Sequence, residues 1–284
     1  MPAGWPNLFI VGVPKGGTTS LWRYLDRHPA IYMSPVKEPN FFLAPDAPVA
    51  VPTEDEYLRL FAGASTERWL GEASPRYYAD PRVPGRIRQA VPEARILITL
   101  RDPVERAWSH YWHNVKFGVE RRSFAEAVEE QFAHGAVEES DIAWDTYVSW
   151  GMYTVPLRRY LDAFGEAVFV LVFEELRDEP QREVASVLGF LDLDPDAAYG
   201  APMAAHNTFA LPRGPVARRL MASPRARAAG RRLFPEPVRT GVERLVLERG
   251  RKPRLDEEVR SRLREAFEPD RVSLERLLGR PLPW

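Results

Sequence analysis

Short, uninterrupted apolar runs recur along the chain, and between them apolar positions return every three to four residues. Residues 8–13 (LFIVGV), 94–100 (ARILITL) and 167–173 (AVFVLVF) are such runs, rich in β-branched side chains. They predict strands buried on both faces, as in a parallel sheet. IYMS at 31–34 and the start of RWLGEASPRYY at 68–78 predict two shorter strands, the second ending in a polar turn. Helical spacing is found in LWRYLDRH (21–28), EDEYLRLFAG (54–63), PGRIRQAVPEA (84–94) and VERAWSHYWHNVKF (104–117), the last with Pro103 in its first turn. SFAEAVEEQFAHG (123–135), TVPLRRYLDAFG (154–165) and EPQREVASVLGFLDL (179–193) continue the alternation. The tail, 255–284, predicts one amphipathic helix, or two broken at Pro269.

Strands alternating with helices predict the α/β class: one domain over 1–284, with a mainly parallel central sheet flanked by helices. No internal repeat and no long linker divides it. Residues 44–53 are proline-rich and read as a surface loop. Residues 119–150, mixed helical and aromatic, read as a lid or acceptor wall, and 206–284 as a C-terminal helical region with a basic loop. From His206 to Pro235 no acidic residue occurs, while arginines stand at 213, 218, 219, 225, 227, 231 and 232. That stretch is either a solvated basic helical face or one wall of an anion-binding cleft.

The first strand runs into Pro14-Lys15-Gly16-Gly17, and Thr18-Thr19-Ser20 opens the first helix. A strand, a glycine turn and a helix start together make an anion cradle. Glycines let backbone N–H groups approach, and the helix N-terminus carries about half a positive charge. A phosphate or sulfate fits here; the plainer alternative is an ordinary turn with a solvated lysine. The commonest phosphate loop requires lysine directly after the last glycine. Here Thr18 holds that place and Lys15 precedes the glycine pair. Ligands of parallel sheets bind beyond the carboxyl ends of the strands. Val13 and Leu100 are such ends, so Lys15 and Arg101 are expected on one rim.

Composition narrows the partners. A net charge of −1 gives no global field for nucleic acid or an acidic membrane. The absence of cysteine removes disulfides and thiolate chemistry. No apolar stretch is long enough for a membrane span, and the amino terminus does not read as a signal peptide, so a cytoplasmic protein is expected. The five histidines suggest no metal-ligand cluster.

Several segments resemble sulfotransferases that use 3′-phosphoadenosine 5′-phosphosulfate (PAPS), in particular the heparan sulfate branch and its bacterial relatives. PKGGTTSLWRYLDRHP resembles the 5′-phosphosulfate loop and LRDPVERAWSHYW the 3′-phosphate motif. VKEPNFF, GEASPRYY and ERGRKPRLD with the terminal LLGRPLPW are similar to further segments of that branch, in the same order. Unlike its animal members, this chain is expected to have neither a membrane anchor nor a disulfide, and Ala73 stands where a substrate-contacting lysine is frequent, with Arg76 nearby. The resemblance implies a P-loop-kinase-like sulfotransferase fold and in-line transfer from PAPS, without a metal, to a hydroxyl or amine of a glycan, glycolipid or small-molecule acceptor. It implies that Lys15 steadies the leaving oxygen and that Gly16, Gly17, Thr18, Thr19 and Ser20 hold the 5′-phosphate. Arg101 and Ser109 would take the 3′-phosphate, with Arg251 and Lys252 adding from the late loop. Glu38 becomes the general base, and burial against Phe41 and Phe42 would raise its pKa; the plainer reading is an exposed loop glutamate paired with Lys37. Glu72, Arg76 and Trp144 are acceptor-side candidates, while His110 and His113 are alternative bases or packing residues. Two further readings stand beside this one: a small-molecule or nucleotide kinase, and a non-catalytic nucleotide- or glycan-binding module.

Overall fold

Five of the predicted strands form one parallel sheet in the order β2-β3-β1-β4-β5. They are β1 (Leu8–Gly12), β2 (Ile31–Met33), β3 (Trp69–Ala73), β4 (Arg95–Leu100) and β5 (Val168–Val172). The computed structural model describes residues 4–43, 51–134, 144, 146–195, 209–223 and 246–284.

Alternation along the central strands sends successive side chains to opposite layers. Phe9, Val11 and Val13 join Ile96, Ile98 and Leu100 on one face, while Leu8, Ile10 and Leu97 lie on the other. Helix α1 (Thr18–Leu25) covers the second face through Leu21 and Leu25, together with α8 (Pro180–Phe190) through Val184, Val187 and Leu188. The first face is covered by α3 (Val83–Ala90) and α6 (Thr154–Phe164). Between them in sequence come α2 (Glu54–Arg59), α4 (Pro103–Lys116), α5 (Phe124–His134) and α7 (Phe173–Asp178). A third cluster joins α4 and α5 to the long carboxyl-terminal helix through Trp108, Phe124, Leu263 and Phe267.

The strand order places a topological switch at β1. From β1 the chain proceeds to β2 and β3 on one side, then crosses to β4 and β5 on the other. The loops leaving β1 and β4 therefore diverge at their carboxyl ends and leave a crevice, where ligands of open α/β sheets bind. Neighbouring backbones are locked there: the Val13 N–H donates to the Thr99 carbonyl at 2.9 Å, and Thr99 Oγ1 donates to the Gly12 carbonyl at 3.0 Å.

The structure selects among alternatives the sequence left open and adds one helix. The tail is a single helix, Glu257–Leu278, with Pro269 inside it; Asp270, directly after that proline, accepts the N–H groups of Tyr153 and Thr154 and so ties this part of the helix to α6. Helix α7 was not expected, and it directly continues β5. In the basic stretch, Arg213, Arg218 and Arg219 are exposed around the helix Gly214–Ala222, whereas Arg225, Arg227, Arg231 and Arg232 lie outside the described residues, as does most of the 44–53 loop. Among the described residues no helix is long and apolar enough to cross a membrane.

Candidate active site

The turn after β1 is shaped by two close approaches. A Cβ on Gly16 would stand 2.5 Å from the Thr99 carbonyl oxygen, and one on Gly17 would stand 2.6 Å from the Phe173 ring. Gly17 also has φ 91°, a left-handed conformation that favours glycine. Helix α1 begins immediately afterwards with no side-chain cap. The turn narrows the expected set of donors. The Gly16 N–H is spent on the Val13 carbonyl and the Ser20 N–H on the Gly17 carbonyl, both at 2.9 Å. The N–H groups of Gly17, Thr18 and Thr19 are thus the ones the cradle can direct at an anion.

Lys15 and Arg101 meet at this point. Arg101 Nη1 donates to the Lys15 carbonyl at 2.9 Å, and its guanidinium lies over the Phe173 ring at 4.6 Å. Phe173 therefore packs against both the glycine turn and the arginine. Arg101 Nε is buried without a hydrogen-bond partner. The carboxylates closest in sequence are engaged elsewhere. Asp102 caps α4 by accepting from the N–H groups of Val104 and Glu105, and Glu105 pairs with Lys252 and Arg260. The Arg101 side chain is therefore not merely a brace for α4.

Glu105 also explains how the late loop arrives. Its carboxylate holds Lys252 Nζ at 3.2 Å, and Trp108 Nε1 donates to the Pro253 carbonyl at 2.9 Å. Ser109 lies one helical turn beyond Glu105 on the same face and is half-buried. Ser109 thus shares the Glu105 face of α4 on which Lys252 docks, while Arg251 is exposed. The positive charge of Arg101 reaches Lys252, whose pKa is lowered first by burial.

The lysine carries the cost of this crowding. Burial, then the charges of Arg101, Lys116 and Lys37, push the Lys15 pKa down from 10.5 to about 8, with Glu38 opposing. Glu38 faces the same space from the loop after β2. The expectation that it is buried against Phe41 and Phe42 is overturned: its side chain is 46% exposed and pairs with Lys37 at 2.9 Å. The two phenylalanines turn inward instead, Phe41 stacking on Tyr57 at 4.4 Å and Phe42 packing edge-on against Phe9. Positive φ at Glu38 (63°) and Asn40 (55°) produces this reversal.

Glu72 is also corrected. It is fully buried within β3, which excludes direct contact with an acceptor. Arg76 and Trp144 do come together, the guanidinium 5.0 Å from the indole, and Glu38 is the charge that acts on Arg76. Of the other aromatics in that segment, Tyr147 and Trp150 are core residues. His110 is buried and packs edge-on against Trp144, its Nδ1 3.2 Å from Arg106 Nη1. Burial, then the Arg106 charge, keep its pKa well below 6.5. Sequence reasoning missed Phe173, Lys116 and the hydroxyls of Tyr57, Ser74 and Tyr77 around Glu72; of these, only the Glu-x-Ser-x-x-Tyr spacing was visible in advance.

A hollow lined by Trp69, Arg88, Arg95 and Phe164 lies at the amino-terminal ends of the strands, away from all these groups.

Fold and site together define a class: an open parallel sheet whose switch point gathers cations beside the start of a helix. The chain belongs to the sulfotransferase family, whose model matches residues 53–197. It superposes on the crystal structure of a sulfotransferase from Alicyclobacillus acidocaldarius with a TM-score of 0.72 and 32% identity, covering 98% of both chains. Heparan sulfate glucosamine 3-O-sulfotransferase 6 of Mus musculus is 31% identical over 194 residues, 66% of this chain and 53% of that protein. Bifunctional heparan sulfate N-deacetylase/N-sulfotransferase 4 of Mus musculus is 27% identical over 293 residues, 98% of this chain and 31% of that protein. The chain spans between about a quarter and a half of the length of the curated relatives it matches first.

Proposed function

We propose that the chain transfers a sulfuryl group from PAPS to a hydroxyl of a glycan or glycosylated small molecule. The observation that carries this reading is the meeting of Lys15 and Arg101 at the β1–β4 switch, with the Arg101 guanidinium on the Lys15 carbonyl at 2.9 Å. A donor with phosphates at both ends of its nucleoside needs two anion sites within one crevice, and the convergence of these two cations there supports that reading. The buried Arg101 Nε and the glycine turn, into which no Cβ fits, suit such a ligand.

In this reading the N–H groups of Gly17, Thr18 and Thr19 hold the 5′-phosphate, and Arg101, Ser109 and Lys252 hold the 3′-phosphate. When bound, the donor supplies a sulfuryl group on a phosphate leaving group. Lys15 provides positive charge where the leaving oxygen becomes anionic, which is where fixed charge lowers a barrier most. Glu38, exposed to the crevice and facing Lys15 and Arg76, accepts the proton of the attacking hydroxyl. Arg76 and Trp144 form the wall beside it, a cation on an aromatic plate suited to a sugar carrying an anionic group. The names of the heparan sulfate relatives favour a glycan over a simple alcohol.

Membership of the sulfotransferase family sets the kinase alternative aside. A silent binding module is separated by assay. Label from ³⁵S-PAPS is expected on an acceptor from a panel of oligosaccharides and glycosides. Glu38→Gln is expected to lower turnover about 100-fold or more while binding of 3′-phosphoadenosine 5′-phosphate (PAP) stays within twofold. Tight PAP binding with no transfer to any acceptor would favour the binding module, and full turnover in Glu38→Gln would remove Glu38 as the base.

A further inference from the structure

Glu72 is a buried carboxylate that touches no ligand-accessible surface, yet its partners lead directly to Glu38. Three hydroxyls donate to it: Tyr57 Oη at 2.7 Å and Tyr77 Oη at 2.9 Å to Oε1, and Ser74 Oγ at 2.6 Å to Oε2. Each hydroxyl has one proton and here spends it on Glu72, leaving its lone pairs for other donors. Two of them accept from the loop that carries Glu38. The Asn40 N–H donates to Ser74 Oγ at 3.1 Å, and the Phe42 N–H donates to Tyr77 Oη at 3.1 Å. The third, Tyr57, stacks its ring on Phe41 at 4.4 Å. Residues 40, 41 and 42 are thus each held by a different hydroxyl-bearing side chain, and all three hydroxyls converge on one carboxyl.

The loop needs such support. Glu38 and Asn40 both have positive φ, which non-glycine residues adopt only where their surroundings over-determine it. Two further ties reach Glu38 itself: its N–H donates to the Ala73 carbonyl at 3.0 Å, and Asn40 Nδ2 donates to the Glu38 carbonyl at 2.9 Å; the Pro39 and Phe42 carbonyls accept separately from the Val51 N–H and Arg86 Nη1. Ala73 is the residue after Glu72, so strand and clamp hold the same turn from adjacent positions.

We propose that Glu72 is a positioning residue for Glu38. By taking the protons of Ser74 and Tyr77 it aims their lone pairs at the Asn40 and Phe42 amides, and by its bond to Tyr57 it holds the ring stacked on Phe41, which together fix where the Glu38 carboxylate points. This role rests on the reading of Glu38 as the general base. Burial raises the Glu72 pKa to about 7, against the opposing hydrogen bonds of the three hydroxyls. Its protonated form would have to donate to one of these hydroxyls and reverse that link, so the clamp works with the carboxylate ionised.

The test pairs turnover with amide hydrogen exchange. Glu72→Gln is expected to lower kcat tenfold or more, with KM for PAPS and Kd for PAP within twofold. Exchange at the Asn40 and Phe42 amides should rise at least tenfold, with protection in β1 and β4 unchanged. Tyr77→Phe, which removes a single oxygen, should release Phe42 but not Asn40; Ser74→Ala should do the reverse. Because Glu72 acts through Glu38, the double variant Glu38→Gln/Glu72→Gln should turn over no more slowly than Glu38→Gln alone. Additive losses, or unchanged exchange at both amides in Glu72→Gln and in the two milder variants, would overturn the proposal. Full turnover in Glu38→Gln would instead remove the base reading, and with it the purpose of the clamp, while the exchange data would still report whether the clamp exists.

Discussion

Nucleotide binding should be linked to protonation of Lys15. In the free protein burial and the surrounding cations bring its pKa down to about 8 from an ordinary 10.5. A polyanion in the cradle adds negative charge beside the ammonium and favours its protonated form, so the bound pKa moves back up. The complex therefore holds more protons than the free protein between the two values. Affinity is full below pH 8 and is lost as pH rises through the window from about 8 to 10.5. With 10.5 as the bound limit, one linked proton lowers PAP affinity about 25-fold between pH 7 and pH 9.5. Titration calorimetry across that range measures it, and repeating the titration in buffers of different ionisation enthalpy counts the proton. Lys15→Met separates this lysine from Lys116 and Lys252: its PAP affinity should be weaker at pH 7 and nearly flat with pH. An affinity flat within twofold in the wild type, or falling equally in both proteins, would refute the placement of Lys15 against the nucleotide.

Two other variants probe the two sides of the crevice. Gly17→Ala places a methyl on a residue at φ 91° and 2.6 Å from Phe173, so it should cost about 1–3 kcal/mol of stability and weaken PAP binding at least tenfold; thermal melts with calorimetry measure both. Arg76→Ala should raise the acceptor KM while leaving PAP affinity within twofold, since its contacts are Trp144 and the field of Glu38; steady-state kinetics with the acceptor varied decides it.

The strands and the rim were legible because each depends on a local pattern. An apolar run with β-branched residues specifies a buried strand wherever it lies, and the residue after such a strand is placed with it. That reasoning located Lys15 and Arg101 without knowledge of the strand order. Features set by distant residues were not legible. Glu72 reads as an ordinary acidic residue in an amphipathic segment until Tyr57 and Tyr77 are folded over it. Phe41 and Phe42 looked like walls for Glu38 because they are its neighbours in sequence, but the left-handed turn at Asn40 carries them into the core. Lys252 was assigned from resemblance alone; its docking depends on Glu105, a contact 147 residues away in sequence. Of the two readings of the tail, the single helix with Pro269 inside it is the one that forms.

Overall charge was the least informative quantity, and the reason is physical. With 39 basic and 40 acidic residues the chain is nearly neutral, yet charge is sorted in space. Arg101, Lys116 and Lys37 all act on Lys15, and Arg101 acts on Lys252. The acidic groups nearby are engaged or held back: Asp102 on the α4 cap, Glu105 on Lys252 and Arg260, and Glu174 with its pKa raised first by burial. Keeping an ammonium buried and among cations costs the folded protein stability below its unfolded pKa, a cost that fades as pH rises through the window from about 8 to 10.5. Lys15→Met should therefore melt higher than the wild type at pH 7 while losing transfer, and the difference in melting temperature should shrink toward pH 10. Equal melting temperatures at pH 7 would mean that the ammonium is not crowded. A bound polyanion offsets the repulsion from these cations, so binding stabilises the crevice at the point where the free protein holds its most crowded ammonium.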